Sequence, residues 1–205
     1  MASQPPTSYT VSPALQAHVD VTPAAFLASH NGDIDHLIAG ALVTDTRGRA
    51  LLLRRAPTDS WPLKWEVPGG CVDDTDASLV AAAVRELWEE TGLRAVHVRA
   101  PVRLLRADAG DDVEADPAET DLHVKGDLCL FRETGNIWAK LTAWIDVEAT
   151  EPVVVRADEH AEWAWVSEPE ARARRFADGR ELDFVSEGVR QTVLEGFRLW
   201  EEAQR

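Results

Sequence analysis

Arg85, Glu86, Glu89 and Glu90 gather three carboxylates and one guanidinium close behind a Pro68-Gly69-Gly70 loop. Each negative charge raises the cost of ionising its neighbours unless a cation sits among them. A hard divalent ion such as Mg²⁺, taken by oxygen ligands and usually shared with a substrate phosphate, relieves that crowding. The chemistry this suggests is metal-dependent work on a phosphate. An acidic helix face alone is ordinary surface. The glycines ahead of it shift the balance, because they let a backbone carbonyl approach a bound ion closely.

A helix must carry these groups. At about 100° per residue, Arg85, Glu86, Glu89 and Glu90 fall on one arc, and Val80, Ala83, Val84, Leu87 and Trp88 fall on the other. Asp74, Thr75 and Asp76 supply cap candidates at its start, and Gly92 is placed to end it in a left-handed turn. Upstream, His36 to Asp45 and Ala50 to Arg55 read as strands around the turn Thr46-Arg47-Gly48-Arg49. Trp65-Glu66-Val67 leads into the glycine loop. Downstream strands are expected at Ala95 to Leu105, His123 to Arg132, Ile137 to Val147 and Glu162 to Val166. A short helix is expected at Pro169 to Arg175, and a long one at Arg180 to Glu202 with Val185, Val189, Val193, Phe197 and Trp200 on one side. Strands flanked by helices predict an α/β fold with a mixed sheet between helices.

From Gly70 to Leu93 the chain resembles the Nudix box of Nudix hydrolases. That pattern runs Gly, five residues, Glu, seven residues, Arg-Glu, an aliphatic residue, any residue, Glu-Glu, any residue, Gly, an aliphatic residue. From Arg85 to Leu93 the match is complete. Asp76 stands for the first Glu, and eight residues instead of seven separate it from Arg85. The resemblance implies an α/β/α sandwich and a pyrophosphohydrolase, a diphosphatase splitting a nucleoside diphosphate linked to another moiety. It implies Mg²⁺, with Mn²⁺ as an alternative, held by Glu86 and Glu90, by Glu89 directly or through water, and by the Gly69 carbonyl. Arg85 would organise the glutamates by ion pairing. Glu159, in Asp158-Glu159-His160, is the candidate general base. Arg55 and Lys64 are the candidate phosphate contacts, a guanidinium being able to bind phosphate bidentately; Arg54, Arg132 and Lys140 rank below them.

The signatures of ADP-ribose, diadenosine polyphosphate and NADH enzymes are missing beyond the box. Elimination leaves a nucleoside triphosphate or nucleotide sugar as substrate. A nucleotide-binding sensor of the same fold, without hydrolysis, is the second reading. Cys71 reads as a small packed thiol. Trp61 and Trp65 read as core or as stacking surface, Trp88 and Trp200 as core.

The chain has 205 residues, enough for a single domain with a sizeable core. Residues 1–32, rich in Pro, Ala, Ser and Thr, read as a partly ordered lead-in, with Thr22-Pro23 opening a short helix, and 33–205 as the hydrolase-like domain. The net charge of −15 argues against binding long nucleic acids. No apolar run approaches a membrane span. No charged stretch followed by an apolar core opens the chain, and two separated cysteines suggest no disulfide framework, so a cytoplasmic setting is expected. A homodimer is compatible with all of this. The acidic segment 108–121 reads as a solvated loop, with Glu114 or Glu119 as acids able to reach a metal.

Overall fold

Among the described residues, ten strands and four α-helices form two sheets and the layers that cover them. A computed structural model describes residues 7–104 and 123–205. The segment 108–121, with Glu114 and Glu119, lies outside the described residues.

The larger sheet runs β1 (Thr10–Val11), β6 (Ala95–Pro101), β9 (Asn136–Val147), β2 (His36–Leu42) and β5 (Gly69–Cys71), with β7 (His123–Lys125) and β8 (Leu128–Glu133) joined to β9. It is mixed: β1 pairs with β6 and β2 with β9 in parallel, whereas β5 pairs with β2, and β6 and β8 with β9, antiparallel. The smaller sheet is β10 (His160–Val166), β3 (Ala50–Arg55) and β4 (Trp65–Glu66).

Strand alternation assigns the faces. Leu37, Ala39 and Ala41 of β2, with Ala139, Leu141 and Ala143 of β9, join one core with Leu79, Val80, Ala83 and Leu87 of α2 (Leu79–Thr91). Leu42 and Trp144 face the other way. They join a second core with Phe176, Leu182 and Phe184, and with Val189, Val193 and Phe197 of α4 (Glu187–Ala203). Between these cores lies the α/β/α arrangement that the helix–strand order predicts.

Several boundaries differ from those expected. The long last helix begins at Glu187, not Arg180. Leu182 and Phe184 are buried at alternate positions, so that segment runs extended beside Trp65, and Ser186 then caps the helix. Helix α2 is capped by Ser78, whose hydroxyl accepts from the Ala81 N–H, and not by Asp74 to Asp76. Gly92 ends it in a left-handed conformation, as predicted. The expected strand from His123 to Arg132 is broken by a turn at Gly126-Asp127, which makes a separate hairpin of β7 and β8.

Residues 7–32 are built onto the sheet. β1 pairs with β6, and Leu15, in a 3₁₀ helix at Pro13–His18, is fully buried in the first core. α1 (Pro23–Ser29) has Pro at its start and Thr22 as its cap, as Thr22-Pro23 suggests. α3 (Glu168–Ala173) completes the set. Among the described residues, no helix is long and apolar enough to cross a membrane.

Candidate active site

Pro68-Gly69-Gly70 lies where β2, α2 and the cavity meet. Gly69 pairs with Gly40 of β2, and a Cβ on Gly69 would sit 2.5 Å from the Ala39 carbonyl oxygen. Gly70 is equally confined on its other side, where a Cβ would come 2.8 Å from Glu86 Oε1. Both glycines therefore let backbone and carboxylates crowd together. The Gly69 N–H donates to Glu90 Oε2 at 2.7 Å.

Arg85 fastens the cluster. Its Nε and Nη2 donate to the two oxygens of Asp76 at 2.9 and 2.8 Å. Its Nη1 donates to Glu86 Oε1 at 2.8 Å and to Glu89 Oε2 at 3.0 Å, and Nη2 also reaches the Cys71 carbonyl. Asp76, despite being a shorter acid one residue too early, makes the bidentate contact. The bond to Asp76 is the main reason the Arg85 pKa is raised further.

Glu86 and Glu90, one turn apart, open onto a cavity of about 750 Å³. Glu89 does not line it; its carboxylate is turned to Arg85. Burial pushes the Glu86 carboxyl above its usual range, against the pull of Arg85. Glu90, 7 % exposed, is pushed well above that range by burial, opposed by its Gly69 bond and assisted by Glu66, Glu86 and Glu159. These acids are close together and short of positive charge.

Glu159 and His160 close the far side. The ligand atoms of Glu90, Glu159 and His160 all lie within 4.8 Å of one another. His160 is 3 % exposed; burial, with Arg55 behind it, lowers its pKa to about 4, so the imidazole is neutral near pH 7. Its Nε2 is 3.7 Å from Glu90 Oε1, and its buried Nδ1 has no hydrogen-bond partner among the described residues. The loop that carries Glu159 is tied down where the Glu159 carbonyl accepts from the Ala56 N–H at 2.8 Å.

This donor set suits a hard divalent ion. It offers carboxylate oxygens whose crowding favours protonation until a cation arrives, beside a backbone that only glycine permits. Glu86 and Glu90 are the carboxylates that would hold it, with Glu159 beside Glu90.

The cations divide. Arg55 lines the cavity, but it is engaged by Glu66 Oε1 at 2.5 Å, Asp59 Oδ2 at 2.6 Å and both the carbonyl and hydroxyl of Ser60. Arg54 faces elsewhere and pairs with Glu162. Lys64 is not brought to the cavity: its ammonium lies 3.5 Å from Asp183, because the strand end turns it outward. Cys71 is exposed at the cavity, not packed, and burial with nearby Glu86 and Asp73 raises its thiol pKa. Trp65 is core at 2 % exposed, whereas Trp61 is exposed at the rim.

Glu66 and His160 escaped the sequence reading. Glu66 is a carboxylate between two apolar strand residues just before the glycine loop. Burial raises its pKa against the attraction of Arg55 and Lys140. That interruption of an apolar strand was the available signal.

The family model described as the NUDIX domain matches residues 35–185. A CMP-5'-(N-acetyl-N-hydroxy-3-aminopropyl)phosphonate hydrolase from Streptomyces rubellomurinus is 47% identical over 60 residues, 28% of this chain and 28% of that protein. A MutT-like protein from Streptomyces ambofaciens is 40% identical over 57 residues, 28% of this chain and 33% of its own length. Each match spans at most a third of the relative. In structure, the chain is similar to the MutT protein from Methanosarcina mazei Go1, with a TM-score of 0.51 and 22% identity over 83% of this chain and 95% of the other. It is also similar to the E. coli ORF135 protein, with a TM-score of 0.53 and 22% identity over 84% and 96%. At these identities the structural likeness is one of fold. The family model covers well over half of the chain, and with the Arg85–Glu90 cluster lodged against its glycine loop, this chain belongs to the NUDIX domain family.

Proposed function

We propose that residues 33–205 form a divalent-ion-dependent hydrolase that cleaves the diphosphate bond of a nucleoside diphosphate linked to another moiety. A nucleoside triphosphate or a nucleotide sugar is the substrate class, Mg²⁺ the ion with Mn²⁺ as a substitute, and the cytoplasm the setting. The observation that carries this reading is the pair Glu86 and Glu90, crowded, largely desolvated and held against Gly69 and Gly70 at one end of the cavity. The Streptomyces rubellomurinus relative is named as a hydrolase of a CMP-linked phosphonate, which brings CMP-linked compounds into the assay panel.

Phosphoryl chemistry asks mainly for positioning and charge neutralisation. A divalent ion bound here would offset the charge that develops and lower the pKa of a bound water. The protein's own groups do the rest. Arg85 fixes the rotamers of Glu86 and Glu89 so that the acids present oxygens in a constant arrangement. Glu159, at the cavity and beside Glu90, accepts the proton of the attacking water. Arg55 carries its charge beside the same chamber, oriented by Glu66 and Asp59.

The test is turnover of nucleoside triphosphates, dinucleotides, nucleotide sugars and CMP-linked compounds, followed by ³¹P NMR in ¹⁸O-labelled water. Diphosphate cleavage should require a divalent ion. In Glu90→Gln it should fall by at least about 100-fold, more than the 10–100-fold typical of losing a group behind a metal ligand. Metal-independent cleavage, or full activity in that variant, would overturn the site. Tight binding across the panel without turnover would make the protein a sensor.

A further inference from the structure

The floor of the cavity is a set of cross-strand rows. One row sets Gly69, Gly40 and Thr142 side by side; the next sets Cys71, Ile38, Lys140 and Cys129; the third sets His36, Trp138 and Phe131. Rows two residues apart along a strand face the same side, and Thr142, Lys140, Trp138 and Phe131 all line the cavity. The row beside the carboxylates and the row of aromatics are four residues apart. At about 3.3 Å per residue that is roughly 13 Å, enough to place a diphosphate over one end and an aromatic ring on the other.

Lys140 stands midway. It leans over Gly40 of β2, the cross-strand partner of Gly69, since a Cβ on Gly40 would lie 3.1 Å from Lys140 Cε. Its positive charge also acts on Glu66. Among the described residues its ammonium has no ion pair and no hydrogen bond, whereas Arg55 is shared among Glu66, Asp59 and Ser60 and Lys64 is turned to Asp183. At the far row, Trp138 packs on His36 with ring centroids 4.3 Å apart and planes tilted by 33°, and among the described residues its buried indole N–H finds no acceptor.

We infer that Lys140 is the phosphate-binding cation of this cavity and fixes the direction of the substrate, with the nucleoside toward Trp138 and Phe131 and the scissile diphosphate toward Glu86 and Glu90. This rests on the hydrolase reading above. A base has an apolar face and polar edges, which suits an aromatic wall carrying an unpaired donor. The phosphate joined to that nucleoside then passes Lys140, and an ammonium on a flexible stem meets it as a point charge. Gly40 supplies the clearance along which the lysine reaches.

Product binding tests the direction without depending on turnover. With Mg²⁺ present, nucleoside monophosphates and the matching nucleosides are titrated into protein labelled with ¹⁵N at tryptophan, the Trp138 indole signal being identified by its loss in Trp138→Phe. That signal should move with both ligands. Lys140→Met, close to lysine in shape and checked for folding by circular dichroism, should weaken monophosphate binding about tenfold, the size of a charge-assisted hydrogen bond, and leave nucleoside binding unchanged. Lys140→Arg should recover part of the loss. In turnover, Lys140→Met should raise KM about tenfold with kcat nearly constant, the signature of uniform binding. Equal monophosphate affinity in Lys140→Met, or a Trp138 signal indifferent to every nucleoside, overturns the inference while wild-type turnover stands. Absence of wild-type turnover across the substrate panel overturns the hydrolase reading instead.

Discussion

Glu90 is the residue on which the proposed chemistry turns, and its burial carries a cost. Its carboxyl is pushed well above the usual range by burial first, then by Glu66, Glu86 and Glu159. A raised folded value means that the unfolded chain loses this proton at lower pH. The stabilising contribution is therefore present below the unfolded carboxylate range and is lost as pH rises through the folded value. A divalent ion binds only the ionised form, so it must displace protons from Glu90 and Glu86. Mg²⁺ affinity should accordingly strengthen as pH rises toward neutrality. Isothermal titration in buffers of differing ionisation enthalpy should show net proton release to the buffer. Affinity independent of pH, with no proton release, would mean that the ion sits elsewhere.

At the scale of elements, the site depends on how tightly helices meet strands. Glu86 and Glu90 reach the cavity because α2 packs its small residues Ala82 and Ala83 into the first core, bringing its acidic arc to the glycine loop. On the opposite side Gly196 does the same for α4: a Cβ there would overlap Leu42 Cδ2, whose side chain is fully buried. Gly196→Ala gains about 1 kcal/mol of helix propensity, but overpacking a filled core costs about 1–3 kcal/mol. We expect a net loss near ~1 kcal/mol in urea unfolding, because Leu42 has little room in which to turn. A more stable variant would show that α4 is free to shift.

The molecule as a whole extends beyond the segment that carries the box. Leu15 is fully buried, β1 pairs with β6, and His18 Nε2 meets Asp127 Oδ2 at 3.0 Å. Residues 1–32 remain the proposed lead-in, yet part of it is packed as core. Leu15→Ala should cost about 2–5 kcal/mol of stability, the range for a buried leucine. Urea unfolding of the full chain measures it, and a change below about 0.5 kcal/mol, the level of a surface substitution, would place the lead-in outside the cooperative unit.

The amino-acid sequence by itself determined the parts ruled by short spacing. Arg85, Glu86 and Glu90 share a helix, so a 3.6-residue period puts them together in any fold that buries Leu87 and Val84. The mostly apolar run from His36 to Asp45 likewise read as a buried strand, and β2 lies within it. Tertiary structure alone decided which groups met across long distances. It tied Arg55 to Glu66, sent Lys64 to Asp183 and set His160 beside Glu90. It also left Lys140 on the cavity floor without a carboxylate partner among the described residues. Ion pairs between strands depend on register and on competition among many acids, and neither is written in local spacing. Period fixes the face a residue occupies; packing fixes its partner.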